Sequence, residues 1–523
     1  MKLAIGQCDA PQIQKQPIFY LDPYRSNVAV FGSPMSGKTT FIKTLLVRLH
    51  ENMDQTPRES IYIIDFGGNI GEYGKLRNVC ACFDNSNEEN IKRVFRTIEK
   101  RLTENAKKLA SQSYYSVVTK SPKDAPDHIF LIIENINAFL ADERYSSYQE
   151  RLIRFCRDGL SKGLTVVITA NDTNGISRIL SNFGQKIAFE MPSDSYFDIF
   201  NAKVSKPMKL PGRGVVNIES DIYEFQCFLP FPSTDDELYI HDLVEKTSGY
   251  PNDHMMAAFS DVLTRDNLAL YSTEACVNPG GQQITIGLDY YEHKPVTVNI
   301  AQSRSIAIYG KRQFGKSNLL ALLLEGIKAS CADARFVFLD DGRKQLLPFH
   351  LPGKRQIAPN SEYLTDVAAL RDFLTENGYG GLRRNAIAPP LPKMSEISKT
   401  PFTVFVLQSK LLFRNSPDAK YLMGTWFPVM IGDAEARDYL FIFSDVGNIS
   451  EAEIRAPFND NVSVAFLLDN IGDFVAEKGS KSVFGEMDAK ELKAEYAKCS
   501  IGDGYIYDVE ADELQKLKFI KAD

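Results

Sequence analysis

The same series of signals occurs twice in this chain, and no other feature limits its fold so strongly. VAVFGSPMSGKTTFIKTLLVRL, from Val28, and SIAIYGKRQFGKSNLLALLLEGI, from Ser305, each read as an apolar strand, a glycine-bounded loop and an amphipathic helix. A strand ending in acid follows in each copy, IYIIDFGG (61–68) and FVFLDDGR (336–343). Helical spacing comes next, marked by Ile91, Val94, Phe95, Ile98 and Leu102 in one copy and by Leu364, Val367, Leu370 and Phe373 in the other. Third strands (HIFLIIEN at 128–135, FTVFVLQS at 402–409) and fourth strands (LTVVITAN at 164–171, DYLFIFSD at 438–445) complete the series. Lys38 and Lys316 lie 278 residues apart, Asp65 and Asp340 275, Glu134 and Gln408 274, Asn171 and Asp445 274. A register held over four elements indicates tandem duplication.

Short, almost continuously apolar strands alternating with helices predict mainly parallel sheets covered by helices on both faces, an α/β architecture built twice. LAIGQ (3–7) and ITIGLD (284–289) open the copies. The first closes near PGRGVVNIESDIYEFQCFLP (211–230), where a glycine turn joins two strand-like runs, and IGDGYIYDVEADELQKLKFI (501–520) is its counterpart. The expected organisation is a first module over 1–235, a helical connector over 236–280 (ELYIHDLVEKT, HMMAAFSDVL) and a second, degenerate module over 281–523. The 523 residues are ample for two buried cores. No apolar run reaches membrane-spanning length and the first thirty residues lack a signal-peptide core, so the chain reads as soluble as written. Eight cysteines without a close CxxC pair fit reduced thiols.

GSPMSGKT and GKRQFGKS both satisfy G-x-x-x-x-G-K-[ST]. Such a loop wraps a di- or triphosphate in backbone N–H groups, and the following helix N-terminus adds partial positive charge. In the first copy Gly32, Ser33, Pro34, Met35, Ser36, Gly37, Lys38, Thr39 and Thr40 would form this cradle; in the second, Gly310, Gly315, Lys316 and Ser317. Lys38 and Lys316 would reach the β- and γ-phosphates, and the Thr39 and Ser317 hydroxyls would ligate Mg²⁺. Lys311, Arg312, Gln313 and Phe314 are bulky where the second loop must curl. The expected ligand is ATP with Mg²⁺.

Hydrolysis asks more. The third strand should end in an Asp for the metal shell, followed by a Glu that activates water. Glu134 can hold a metal-bound water one methylene further out, while Asn135 can orient a water but cannot take its proton. Gln408 and Ser409, in the same place in the second copy, carry no charge. The first copy is therefore expected to hydrolyse slowly at best and the second not at all.

Together, FGSPMSGKTT, IYIIDFGG with ENIKRVFRTIEKRL, IIEN, VVITAN and PGRGVV resemble the FtsK/SpoIIIE-type ATPase modules of type VII secretion systems, the EssC/EccC family. The likeness covers most of both copies and is more specific in the first. It implies RecA-like P-loop modules matching the last two of several in a protein anchored in the membrane by a part outside this sequence, hence work at the cytoplasmic face. It further implies ring-forming homo-oligomers and, as partners, other secretion subunits and exported small helical-hairpin proteins that the final module docks. Glu134 and Asn135 stand where the family's corresponding module commonly has Asp-Asn. Asn171 stands where DNA-pumping relatives place a sensor Gln, with Asp445 its second-copy counterpart. Arg157 and Arg178 are arginine-finger candidates by neighbourhood alone.

Other signals are set aside. Asp65-Phe66-Gly67 has no kinase catalytic loop beside it and reads as a strand-end turn. Cys80 and Cys82 read as small buried hydrophobes, and Trp426 as core or a module interface. Lys43, Arg48, Lys92, Arg93, Arg96, Lys100, Arg101, Lys107 and Lys108 read as solvated helix faces. The alternatives to an export ATPase are a DNA translocase, which a net charge of −7 and the altered acids disfavour, and a nucleotide-stabilised scaffold.

Overall fold

A computed structural model describes residues 2–10, 14–53, 57–192, 195–218, 221–231, 235–249, 255–256, 259, 262–271, 282–311, 313–351, 361–377, 402–432, 439–447, 449, 451–469 and 499–522. The chain forms two units, Met1–Ala258 and Phe259–Asp523. The division falls inside the stretch read as a connector. Asp236–Lys246 is a helix of the first unit, tied down by Asp236, which accepts from Lys43 Nζ at 2.6 Å and from the Tyr73 hydroxyl at 3.2 Å. Half of HMMAAFSDVL lies outside the described residues, and the described ones among it are not helical.

The first unit holds one ten-stranded sheet of β1 (Leu3–Asp9), β2 (Ile18–Leu21), β3 (Val28–Phe31), β4 (Glu59–Asp65), β5 (Val79–Asp84), β6 (His128–Glu134), β7 (Leu164–Ala170), β8 (Gln185–Phe189), β9 (Arg213–Ile218) and β10 (Asp221–Cys227), in the order β2-β1-β10-β9-β8-β3-β7-β6-β4-β5. The second unit repeats it with β11 (Gln283–Asp289), β12 (Pro295–Asn299), β13 (Ser305–Tyr309), β14 (Arg335–Leu339), β15 (Ser361–Leu364), β16 (Thr403–Gln408), β17 (Tyr439–Val446), β18 (Val464–Leu467), β19 (Asp503–Asp508) and β20 (Glu513–Phe519). The order β12-β11-β20-β19-β18-β13-β17-β16-β14-β15 matches the first strand for strand.

From β8 to β5 every pairing is parallel, whereas β2, β1, β10 and β9 add an antiparallel extension. The sheet is thus mixed, with its parallel part central. There the strands are buried on both faces, which is why β4, β6 and β7 read as unbroken apolar runs. Alternation sends Phe130 and Ile132 to one core and Ile129, Leu131 and Ile133 to the other. The helix Lys38–Glu51 contributes Phe41, Ile42, Leu45 and Leu49 to the first core; Glu88–Leu109 contributes Ile91, Val94, Phe95 and Ile98 to the second. In the second unit Val404 and Val406 part from Phe405 and Leu407 in the same way.

Four readings need correction. Leu364 ends β15 instead of lying in the helix Val367–Glu376. Lys92, Arg93 and Arg101 are buried rather than solvated, Lys92 against Glu88 at 2.7 Å and Arg101 against the Tyr62 hydroxyl at 3.1 Å. The glycine of PGRG precedes the β9–β10 hairpin instead of forming its turn: the Gly212 N–H donates to the Ser36 carbonyl. Cys80 is buried in β5, but Cys82 only half-buried. Trp426 is core, edge-on to Phe405 and Phe441. Among the described residues, no helix is long and apolar enough to cross a membrane.

Candidate functional site

In each unit the phosphate-loop sequence joins the central strand, β3 or β13, to a helix, so it sits over the carboxyl ends of the parallel strands where α/β sheets bind ligands. Gly37 caps the helix Lys38–Glu51 at φ 118°, and a Cβ there would lie 2.8 Å from the Gly212 nitrogen. Both the left-handed backbone and the close approach demand glycine. Met35, also left-handed, points its side chain to solvent, leaving the backbone to line the loop. Ser36 is buried with its hydroxyl unpartnered. Gly32 and Ser33 offer their carbonyls to Lys38 Nζ, at 2.5 and 3.0 Å. Burial pushes the Lys38 ammonium below its usual pKa, and the Glu134 carboxylate partly offsets this.

The strand ends supply the acids. Asp65 and Glu134 are register partners on β4 and β6. Asp65 is occupied structurally: Oδ1 accepts from the Gly67 and Gly68 amides at 3.0 and 2.7 Å, and Oδ2 from Ile70 at 3.1 Å. Glu134 is only 4% exposed; its Oε1 accepts from the Thr39 hydroxyl at 2.5 Å and its Oε2 has no partner. Burial raises its carboxyl pKa to about 7; Asp65 adds to the rise, while Thr39 and Lys38 oppose it. An unpartnered buried carboxylate oxygen beside a threonine hydroxyl fits the hard-oxygen needs of Mg²⁺. Among the described residues no three His, Cys, Asp or Glu side chains gather as a metal site. Phosphate and water oxygens would therefore complete any metal shell at Thr39 and Glu134.

Asn135 has a left-handed backbone and its N–H donates to the Thr169 hydroxyl at 2.8 Å. Asn171 is exposed at the end of the fourth strand, its N–H held by Asn137 at 3.0 Å. Arg157 pairs with its neighbour Asp158, and Arg178 is exposed.

In the second unit Gly315 caps the helix Lys316–Ser330 at φ 95°. Lys316 Nζ donates to the Gly310 and Lys311 carbonyls at 2.6 and 2.9 Å, as Lys38 does in its own loop. Arg312 lies outside the described residues, and Gln313 is left-handed. The acids differ. Asp340 repeats Asp65, accepting from the amides of Gly342, Lys344 and Leu346. Gln408 replaces Glu134, and its Oε1 accepts from Arg343 at 3.1 Å. A carboxylate stands instead on the neighbouring strand: Asp445 pairs with Lys316 at 3.1 Å, Arg343 at 2.9 Å and Lys410 at 3.2 Å. Burial alone would raise the Asp445 pKa, but these cations prevail and hold it near 2. Sequence reading aligned Asp445 with Asn171 yet missed Arg343, whose signal was its place at the repeat offset of Gly68.

No protein-family model matches the chain. It is 22% identical to the type VII secretion system protein EssC of Staphylococcus aureus (strain MRSA252) over 334 residues, which cover 61% of this chain and 22% of that protein. The chain spans about a quarter of the length of the curated relatives it matches. Among solved structures, EssC (ATPases 2 and 3) from Geobacillus thermodenitrificans superposes with a TM-score of 0.74 at 18% identity, covering all of this chain and 96% of that one. Thermomonospora curvata EccC (ATPases 2 and 3), in complex with a signal sequence peptide, gives 0.63 at 19% identity, with 100% and 93% covered. The family resemblance carried by the motifs is borne out: this chain is a relative of the EssC/EccC type VII secretion ATPases, and it has the fold of their ATPases 2 and 3.

Proposed function

We propose that the chain is a nucleotide-holding segment of a type VII protein secretion motor, with modules over residues 1–235 and 281–523. The first cradle binds ATP–Mg²⁺ through Gly32–Thr40 and turns it over slowly. The second binds nucleotide without hydrolysis, and the pair docks or regulates exported helical-hairpin proteins at the cytoplasmic face of the membrane, within a ring of copies. One observation carries the nucleotide reading: Thr39 and Glu134 meet at 2.5 Å beside Lys38, with the second, buried carboxylate oxygen unpartnered. When bound, Mg²⁺ would neutralise charge on the β- and γ-phosphates; Lys38 would add its own charge and the loop would fix the phosphates. Asn135 follows Glu134 where a carboxylate base is needed to deprotonate water, which argues for slow turnover. The docking reading is supported by the relative EccC, whose ATPases 2 and 3 were solved with a signal sequence peptide.

Titration of a Lys316→Ala chain with fluorescent ATP in magnesium isolates the first cradle. Adding Lys38→Ala should weaken binding about thirtyfold, roughly 2 kcal/mol. Turnover should fall well below the ordinary enzyme range of about 1–1000 per second. Fast turnover abolished by Lys38→Ala would mean that the Glu134–Asn135 pair is catalytically competent. Tight duplex-DNA binding by the unmodified chain would move the reading to DNA pumping.

A further inference from the structure

The two cradles, alike in backbone, have exchanged their charges. In the first, the carboxylate is Glu134 at the end of β6; Asn171, one strand over, is neutral, and Gly68 follows β4. In the second, Gln408 replaces the acid, Asp445 carries it one strand over, and Arg343 stands where Gly68 would be. A cleft of about 660 Å³ opens over the second loop. Lys316, Ser317, Arg343, Gln408, Ser444 and Asp445 are in its wall. Ser444 is 7% exposed and its hydroxyl has no partner, so a buried donor waits at the cleft for an acceptor.

A divalent cation does not fit there. Mg²⁺ needs hard, preferably anionic oxygen. The amide oxygen of Gln408 is neutral and already accepts from the Arg343 guanidinium, whose charge repels a dication. Asp445 is the one carboxylate among the residues lining the cleft, and both its oxygens are engaged by cations. Those cations suit phosphate directly, because a guanidinium fork and an ammonium neutralise phosphate oxygens without a metal.

We propose that the second cradle binds a nucleoside triphosphate without a divalent cation, with Arg343 supplying the charge that Mg²⁺ supplies in the first. Asp445 keeps Lys316 in position and, with Asp341, which accepts from Arg343 Nε at 2.6 Å, keeps Arg343 in position until phosphate displaces Asp445. This deepens the nucleotide reading of the second loop and rests on it. The two cradles would then respond oppositely to chelation, which gives the test.

In a Lys38→Ala chain, which isolates the second cradle, ATP affinity measured by calorimetry should differ by less than about threefold between magnesium and EDTA. A Lys316→Ala chain should lose at least about tenfold in EDTA. Adding Arg343→Gln to Lys38→Ala should weaken binding in EDTA at least about tenfold, and Arg343→Lys by less, since it keeps the charge and loses the fork. Circular dichroism confirms that each variant is folded. A second cradle that loses ATP in EDTA as the first does, or that is indifferent to Arg343→Gln, overturns the inference and leaves nucleotide binding standing. Failure of the Lys38→Ala chain to bind ATP in either medium overturns both, with the first cradle still judged by the Lys316→Ala chain.

Discussion

Replacing Asp65 with alanine is expected to destabilise the first unit by about 4 kcal/mol and to abolish ATP binding at its loop. Asp65 is 4% exposed and accepts three backbone N–H groups, from Gly67, Gly68 and Ile70. Each amide left buried without an acceptor costs roughly 1–3 kcal/mol, and water reaching the vacated space recovers part of the sum. The turn so held carries Gly67, where a Cβ would lie 3.0 Å from the Glu134 carboxylate, so its collapse reaches the nucleotide site. Asp65→Asn, which keeps one acceptor oxygen, should cost about half as much. Asp340→Ala is the control, since Asp340 is fully buried and holds the amides of Gly342, Lys344 and Leu346 in the same way. Trp426, the chain's one tryptophan, lies in the second unit. Urea unfolding followed by its fluorescence should therefore move for Asp340→Ala, and circular dichroism should register Asp65→Ala. A change under about 1 kcal/mol in both would mean that water satisfies these amides as well as the carboxylates do.

That duplicated Asp turn shows why so much of the architecture could be read beforehand. Strands buried on both faces announce themselves as apolar runs, and a phosphate loop must lie between one such strand and a helix. What escaped notice lacks a strong pattern. β15 is four residues with a half-exposed, polar sequence, so Leu364 passed for the start of the helix behind it. β2, β1, β10 and β9 pair antiparallel, and strand direction leaves no mark on the residues of a short run. Lys92, Arg93 and Arg101 read as solvated because a sequence pattern shows the charge and not the methylene stem that buries it. The loops, Glu134 and Gln408 stood out because their chemistry is fixed by spacing. Arg343 did not, because its role comes from three partners spread over more than a hundred residues, Asp341, Gln408 and Asp445. The repeat offset did hold the clue: an acid lost at Gln408 and another gained at Asp445, with an arginine facing a glycine.

The first cradle's acid carries the other large effect. Glu134→Gln should stabilise the nucleotide-free chain by about 2–3 kcal/mol at pH 8 while removing the magnesium dependence of its ATP binding. Burial lifts the Glu134 pKa to about 7 when folded, against an ordinary value of 4.5. Between those two pH values the folded chain holds a proton that the unfolded chain has released. The stabilising contribution is therefore complete below pH 4.5 and lost as pH rises through 7, at about 1.4 kcal/mol per pKa unit. Glutamine never ionises, so the variant escapes that loss and its advantage grows with pH, while Thr39 can still donate to the amide oxygen. Magnesium has the opposite interest, since only the ionised carboxyl attracts a cation. In a Lys316→Ala background, the affinity gained by adding magnesium should climb as pH passes 7 in the parent and stay flat in the glutamine variant. Thermal unfolding at pH 5 and pH 8 decides the stability half. If Glu134→Gln is the less stable chain at pH 8, the carboxylate is held by favourable partners in the folded state, and its second oxygen is not a ligand kept for a metal ion.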